Sequence, residues 1–344
     1  MAEKLVIVGA GVAGVNAATK LVDSGYPGEN ITIIDMGKDP YNRKYSEVME
    51  GFLGAGGWSD GKLTYHTSIG GQLSKYCGEE KAMELFDEVI ANFKRFHPKP
   101  EEVQCSDPQA EPDFIKPYFG LRLFPVWHVG TDYLHEIGKN WYDFLVEGGV
   151  EFIWETKVTN IKFDTQIVIT DASEVDNFTL EYDRLMFAVG KSGIDFGKQL
   201  ADDYELPTEP KPVQVGVRFE APQEHFQKLI DISYDFKLYR KFDEGVSLRS
   251  FCTNNNAAYV AVEETYGNHS YNGHAKKDEA FRNNMTNFGI LMEIPGIEEP
   301  FAWSRELVSK VNKEGTGLYY SPTRTPSTTS EGEDVSAVSI TEEQ

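Results

Sequence analysis

Apolar residues fall along the chain in two rhythms, and the change between them divides it. Residues 5–8 form a short continuous apolar run, the pattern of a strand buried on both faces of a parallel sheet. Residues 12–22 follow with small and aliphatic side chains that read as a helix, and residues 31–34 return as a second apolar strand. Residues 81–96 are amphipathic with a helical period until Pro98 and Pro100 break them. An acidic, proline-bearing loop then runs to Pro117, and residues 120–124 read as a strand. Residues 133–146 read as a helix with Thr131 or Asp132 as its cap, stopped by Gly148 and Gly149. A strand over 150–154, a continuation to the alternating residues 161–163, hairpin strands at 166–170 and 178–182, and a buried strand over 184–190 predict a three-stranded crossover. From about Lys211 alternation takes over at 213–220, 234–239, 246–253 and 257–264, which predicts an antiparallel sheet. Residues 280–290 read as a helix. The stretch from Ser321 is rich in Ser, Thr and Pro, with too little apolar surface for a core of its own.

The first strand runs straight into Gly9-Ala-Gly11-Val-Ala-Gly14, the spacing G-x-G-x-x-G between a strand and a helix. Each glycine has a separate task there. Gly9 permits the tight bend, Gly11 lets a pyrophosphate approach the backbone, and Gly14 lets helix and strand pack closely. The helix N-terminus turns its unpaired N–H groups toward the phosphates. Asp35 ends the second strand 21 positions after Gly14, where a carboxylate accepts hydrogen bonds from an adenosine ribose. An acid there disfavours a 2′-phosphate, which points to FAD or NAD rather than NADP.

A second glycine-dense stretch, Gly51 to Leu63, includes Gly56 to Lys62 at the spacing of a nucleotide-triphosphate loop. Three features exclude that loop. Leu63 stands where a Ser or Thr would ligate Mg²⁺, Asp60 would repel phosphate, and no buried strand precedes the stretch. Its glycine density still implies close approach of backbone to a neighbour, and the pyrophosphate and far half of a dinucleotide suit it. Arg43 and Lys44, in the polar loop after Asp35, either reach phosphate or are solvated.

These readings predict an α/β protein. A Rossmann-like domain with a three-stranded β crossover occupies residues 1–75 and 120–205, interrupted by a helical and loop insertion at 76–119. An α+β substrate domain built on an antiparallel sheet spans 206–320, and 321–344 is a low-complexity acidic tail.

Composition narrows the partners. The 344 residues carry a net charge of −22, which argues against nucleic acid or an anionic membrane surface. No run of about 18 apolar residues offers a membrane span, and the first strand begins too early for a signal peptide. Cys77, Cys105 and Cys252 are far apart, which reads as reduced thiols in a cytoplasmic protein, with Cys252 buried in an apolar strand. No His or Cys spacing supports a metal site. Asn268, His269, Asn272 and His274 form a polar cluster that either lines a pocket or belongs to a mobile loop.

Together, Gly9 to Gly14, Gly54-Ala-Gly-Gly-Trp-Ser-Asp-Gly-Lys-Leu63, His128-Val-Gly-Thr-Asp132, Ala188-Val-Gly190-Lys-Ser192 and Ser250-Phe-Cys-Thr253 carry a family resemblance. The chain resembles the uncharacterised FAD-dependent dehydrogenases of the glutathione-reductase-like flavoprotein class, over most of residues 1–329. The resemblance implies bound FAD and an oxidoreductase activity on a small-molecule substrate. Expected cofactor contacts are Gly9, Gly11, Val12, Ala13 and Gly14, then Asp35, Met36 and Arg43. Gly57, Ser59, Asp60, Gly61 and Lys62 are expected along the second glycine loop, and Val158, Ala188, Val189 and Gly190 around the crossover. Lys62 is expected either beside the flavin, favouring its reduced anionic form, or as a surface lysine. His128 either donates to substrate or cofactor or is a structural histidine. A second G-x-G-x-x-G unit is absent, so NAD(P)H would bind only transiently as electron donor. Such proteins close the flavin site with a glycine-rich C-terminal segment that this sequence lacks. That departure leaves open truncation, a homo-oligomer, or a non-catalytic flavin-binding protein whose site a partner chain completes.

Overall fold

The computed structural model describes residues 2–44, 47–69, 71–109, 113–172, 178–265 and 268–314. The chain forms two compact units. The first comprises Met1–Trp58, Asn92–Pro100 and Tyr133–Thr208, and the second Ser59–Ala91, Glu101–Asp132 and Glu209–Gln344. Residues 59–75 and 120–132, expected with the first domain, go with the second. The expected tail at 321–344 lies outside the described residues.

The first unit is built on a four-stranded parallel sheet in the order Arg184–Phe187, Leu5–Val8, Ile31–Ile34, Glu151–Ile153. Leu5–Val8 is an inner strand whose Val6, Ile7 and Val8 are buried, as its unbroken apolar run requires. Helix Val12–Asp23 buries Gly14, Val15, Ala18 and Thr19. Helix Leu134–Glu147 is tied to it where Trp141 Nε1 donates to Thr19 Oγ1 at 2.7 Å. Between Glu151–Ile153 and Arg184–Phe187 the chain makes an antiparallel sheet of Thr156–Lys162, Ile167–Ala172 and Thr179–Glu181. Val6, Val8 and Ile34 share one buried cluster with Val158, Ile161 and Val168, so the two sheets are bound by a common apolar core.

The second unit is centred on a five-stranded antiparallel sheet. Its order is Val213–Pro222, Met285–Ile294, Ser247–Asn256, Lys237–Lys241, Gly120–Arg122. A hairpin of Ala258–Thr265 and Asn268–Ala275, a small sheet of Lys62–Thr64, Val126–His128 and Gln104–Ser106, and helix Pro300–Glu314 complete it.

Four expectations are corrected. Residues 280–290 are not a helix: a short 3₁₀ turn at Glu279–Phe281 leads into the strand Met285–Ile294. That strand pairs on both sides, with Val213–Pro222 and Ser247–Asn256, and two ladders outweigh the weak local signal. The polar cluster at 268–274 is no loop but the strand Asn268–Ala275, whose Tyr271, Gly273 and Ala275 are buried. Residues 120–124 do give a strand, Gly120–Arg122, but it pairs with Lys237–Lys241 in the second unit. Neither Thr131 nor Asp132 caps the helix. The Thr131 hydroxyl donates to the Ser59 carbonyl at 2.9 Å, while the Asp132 carboxylate accepts from the N–H groups of Lys277 and Asp278 at 3.1 and 3.0 Å.

The second unit also buries a polar network that alternation in the sequence does not reveal. Arg218 Nη1 donates to Asn287 Oδ1 at 2.7 Å and to the Cys252 carbonyl at 3.3 Å, and Asn254 Nδ2 donates to the same Asn287 oxygen at 2.9 Å. Gly273 makes room for it, since a Cβ there would lie 2.2 Å from Arg218 Nη1.

Candidate functional site

The first-unit site begins at the turn out of Leu5–Val8. Gly9 has φ +108°, and a Cβ on it would lie 2.2 Å from the Ala188 carbonyl oxygen. A Cβ on Gly14 would lie 2.1 Å from the Gly9 oxygen. A Cβ on Gly11 would meet nothing within 4 Å. Two glycines are therefore required by the protein's own packing, and the third faces open space. Helix Val12–Asp23 has no side-chain cap at Gly11, so the N–H groups of its first turn, including Val12 and Ala13, keep their capacity for an anion.

Asp35 organises the surroundings of this turn. Its Oδ2 accepts from the Ala10 N–H at 2.7 Å, and its Oδ1 from the N–H groups of Gly37 and Gly51 at 2.8 and 2.9 Å. The start of the second glycine loop docks on the first. Leu53 N–H donates to the Ala10 carbonyl at 2.8 Å, Leu53 forms a parallel bridge with Gly11, and Leu53 itself takes φ 64°. That conformation is costly for a residue with a branched side chain, and the fully buried Leu53 is held in it by its surroundings. Gly9, Asp35, Met36, Val158 and Val189 line one slit of about 50 Å³, together with Phe196. Ala188 N–H donates to the Val8 carbonyl at 2.8 Å, and Gly190 follows with φ 59° and open space around its α-carbon.

Arg43 is not solvated. It is 5% exposed and donates to the carbonyls of Glu47, Val48, Phe52 and Gly54. Its guanidinium lies 4.4 Å from the centroid of Trp58, which also stacks on the His135 ring at 3.8 Å and donates from Nε1 to the Lys44 carbonyl at 3.1 Å. Burial lowers the Arg43 pKa to about 10 against the pull of Asp35, Glu47 and Glu50. The Arg43–Trp58 pair is thus a clamp on the loop that carries Leu53 and Gly54, a task that the motif from Gly54 to Leu63 did not assign to Trp58.

The remaining expected residues of the second glycine loop divide between the units. Gly57 lies in the first unit, packed against Leu53, whereas Ser59, Asp60, Gly61 and Lys62 lie in the second. Ser59 is buried, and Gly61 takes φ 67° against the Gly130 backbone. Lys62 Nζ donates to the Thr253 carbonyl at 2.6 Å and lies 3.8 Å from Cys252 Sγ. Cys252 is half-buried rather than enclosed, at φ 51° in a bulge of its strand. Asp235 is fully enclosed nearby. Burial pushes its pKa up, but Lys237, Lys62 and the Thr253 N–H overcome this and hold it at about 2. His128 pairs with Lys62 across the small sheet, and its ring lies tilted at 36° to Tyr234 with the centroids 5.0 Å apart. Its Nε2 is buried without a partner among the described residues. Burial, with Lys62 and Lys277 adding to it, lowers its pKa to about 3, so it is a neutral ring that offers a lone pair.

Basic residues converge in the second unit in a way the sequence did not disclose. A cavity of about 700 Å³ is lined by Lys62, Arg122, Lys237, Lys241 and Arg249, and among the described residues its acidic lining is Asp235 and Glu293. A smaller one of about 160 Å³ includes His128, Tyr234 and Lys277. Among the described residues no group of three or more His, Cys, Asp or Glu side chains could hold a metal ion, and no helix is long and apolar enough to cross a membrane.

Comparison with known proteins adds the family. No curated protein sequence matches the chain. A flavoprotein/dehydrogenase from Cytophaga hutchinsonii is similar in structure at 14% identity and a TM-score of 0.39, over 91% of this chain and 61% of its own. The halogenase PltM aligns at 14% identity and a TM-score of 0.41, over 90% of this chain and 56% of its own. OxyS anhydrotetracycline hydroxylase from Streptomyces rimosus aligns at 10% identity and a TM-score of 0.41, over 91% and 49%. The chain therefore spans 49–61% of the length of these structures. The sequence pattern of the pyridine nucleotide-disulphide oxidoreductases matches residues 3–206, which include the glycine turn, Asp35, the strands from Thr156 to Glu181 and the strand Arg184–Phe187. With more than half of its residues in that match, the chain belongs to the pyridine nucleotide-disulphide oxidoreductase family.

Proposed function

We propose that the protein is an FAD-dependent oxidoreductase whose first unit holds the adenosine and pyrophosphate portion of FAD and whose second unit binds a small-molecule substrate. The observation that carries this reading is the open space at Gly11 between two glycines locked by their own packing. Bound FAD supplies the two-electron redox chemistry.

The chain's residues account for binding and orientation. First-turn N–H groups at Val12 and Ala13 receive the pyrophosphate, helped by the helix dipole. Asp35 spends three hydrogen bonds on Ala10, Gly37 and Gly51, which fixes its carboxylate in advance. An ionised carboxylate has roughly four acceptor sites, so capacity remains for a ribose hydroxyl. The space beside it is largely apolar, with Val158, Val189 and Phe196 in its walls, which suits a purine. The same carboxylate repels a 2′-phosphate, so this turn suits FAD or NAD rather than NADP.

Heat release and chromatography of the flavin from the purified protein test the assignment. FAD is expected, and recovery of FMN, or of no flavin, would overturn it. Gly11→Val should abolish flavin binding while the circular dichroism spectrum stays unchanged, because the new side chain fills only the ligand's space.

A further inference from the structure

The sheet of the second unit gathers cations on one face. Its register sets Arg122 directly opposite Lys237, and Tyr239 opposite both Gly120 and Arg249. Since alternate residues share a face, Lys237, Tyr239 and Lys241 stand in one row, with Arg249 and Phe251 in the next. Like charges directly opposite on neighbouring strands are unfavourable, yet Arg122 and Lys237 are so placed in a chain of net charge −22.

Two glycines shape the space above that face. A Cβ on Gly120 would lie 2.2 Å from Tyr239 Cζ, and one on Gly289 would lie 1.8 Å from Phe251 Cε1. Both rings therefore lie down on the sheet over a glycine instead of standing up from it. Each ring also carries a guanidinium, with Arg122 at 4.9 Å from the Tyr239 centroid and Arg249 at 5.7 Å from that of Phe251. Arg249 is further fixed by donating to Gln214 Oε1 at 2.6 Å, and Gln214 in turn donates to Glu293 at 2.8 Å. At the inner end, Asp235 is held by Lys237 at 2.9 Å and by the Thr253 N–H at 3.0 Å. Both acids that line the cavity among the described residues are thus already engaged, and the five basic ones outnumber them.

Resting on the reading of the second unit as the substrate unit, we propose that this cavity binds a small organic dianion. The guanidinium groups of Arg122 and Arg249 receive the acidic groups, and the Tyr239 and Phe251 rings on which they rest hold them in place. The cavity volume of about 700 Å³ falls within the usual range of roughly 300–1,000 Å³ for small-molecule sites. Two acid groups suit two separate arginines. The dianion proposed is a dicarboxylic acid; a nucleotide, whose phosphates share this chemistry, is the competing occupant that the experiment tests.

Isothermal titration of the full-length flavin-loaded protein with isophthalate, its neutral analogue isophthalamide, and NADH provides the test. Isophthalate is expected to bind one to one and isophthalamide not at all. Arg122→Gln and Arg249→Gln should each weaken isophthalate about tenfold, with part of the loss restored by Arg249→Lys. Arg95→Gln, which removes a half-exposed partner of Asp23 in the first unit, should leave it unchanged. No saturable isophthalate binding, equal binding of the amide, or indifference to both arginine variants would overturn the proposal. So would NADH binding that Arg249→Gln removes while isophthalate never binds, since the face would then serve a nucleotide donor. Flavin absorbance of the same samples separates the two readings. Flavin lost with isophthalate retained refutes only the FAD assignment, and flavin retained without isophthalate binding refutes only this one.

Discussion

In the first unit the candidate site is made of backbone, and its charged side chains serve that backbone. Asp35 is engaged by three N–H groups and Arg43 by four carbonyls. In the second unit the candidate site is made of side chains, and the backbone only spaces them. Arg122, Lys237 and Arg249 come from three different strands and meet through register. A site of the first kind depends on a few consecutive residues and fails when their conformation fails. One of the second kind tolerates changes in single residues as far as folding is concerned, and loses only the ligand.

The largest expected effect breaks the first site from within. Gly9→Ala puts a Cβ 2.2 Å from the Ala188 carbonyl at φ +108°, so both strain and collision oppose it. A loss of more than about 4 kcal/mol in urea unfolding is expected, with flavin lost as a consequence. Gly11→Ala meets nothing and should cost no more than about 1 kcal/mol, yet release the flavin. If the two variants unfold at the same urea concentration, the division of labour in the turn is wrong.

Next in size is the same residue type in the two units. Arg43→Met strips the donors from four carbonyls around a buried guanidinium and should cost about 3–5 kcal/mol. Arg249→Gln, half-buried on the cavity wall, should stay within about 1 kcal/mol in the same titration. Similar losses would mean that the basic face is structural after all.

This contrast also explains what was legible in the sequence. The turn Gly9 to Gly14, Asp35 and the parallel strands were legible because their geometry is recorded in neighbouring residues. Val158 and Val189 were assigned from the resemblance, and the structure sets both in the slit beside Asp35. The solvated reading of Arg43 failed because the four carbonyls that bury it come from a loop whose folding has no periodic signal. The strand Met285–Ile294 was misread as a helix because both of its ladders are long-range. The basic cavity was invisible for a related reason. Lys62 and Arg249 are 187 positions apart, and only the register of the sheet makes Gly120 the floor beneath Tyr239. Lys62 was singled out by its motif, yet its bond to the Thr253 carbonyl and its proximity to Asp235 were not legible there.

The smallest expected effect is a pH dependence that the second unit owes to one neutral ring. Burial, Lys62 and Lys277 lower the His128 pKa from 6.5 to about 3. The unfolded chain therefore takes up a proton at His128 below about pH 6.5 while the folded protein does not. The stability this ring contributes is fully present above that value and is lost as pH falls toward 3. Between about pH 7 and pH 5 the loss should reach about 2 kcal/mol, read as a fall in the urea midpoint. His135 in the first unit, lowered to about 4 by burial, Lys139 and Arg43, adds a contribution of the same sign, smaller because its ring is less enclosed. His128→Gln should flatten the profile over this window even if it lowers stability at every pH, because glutamine cannot titrate. Asp235 also resists acid, but its pKa is lowered from 3.8 to about 2, so its contribution is lost only below about pH 4. A profile that stays steep between pH 7 and 5 in His128→Gln would place the proton uptake elsewhere, and His135→Gln would then show whether the first unit carries it.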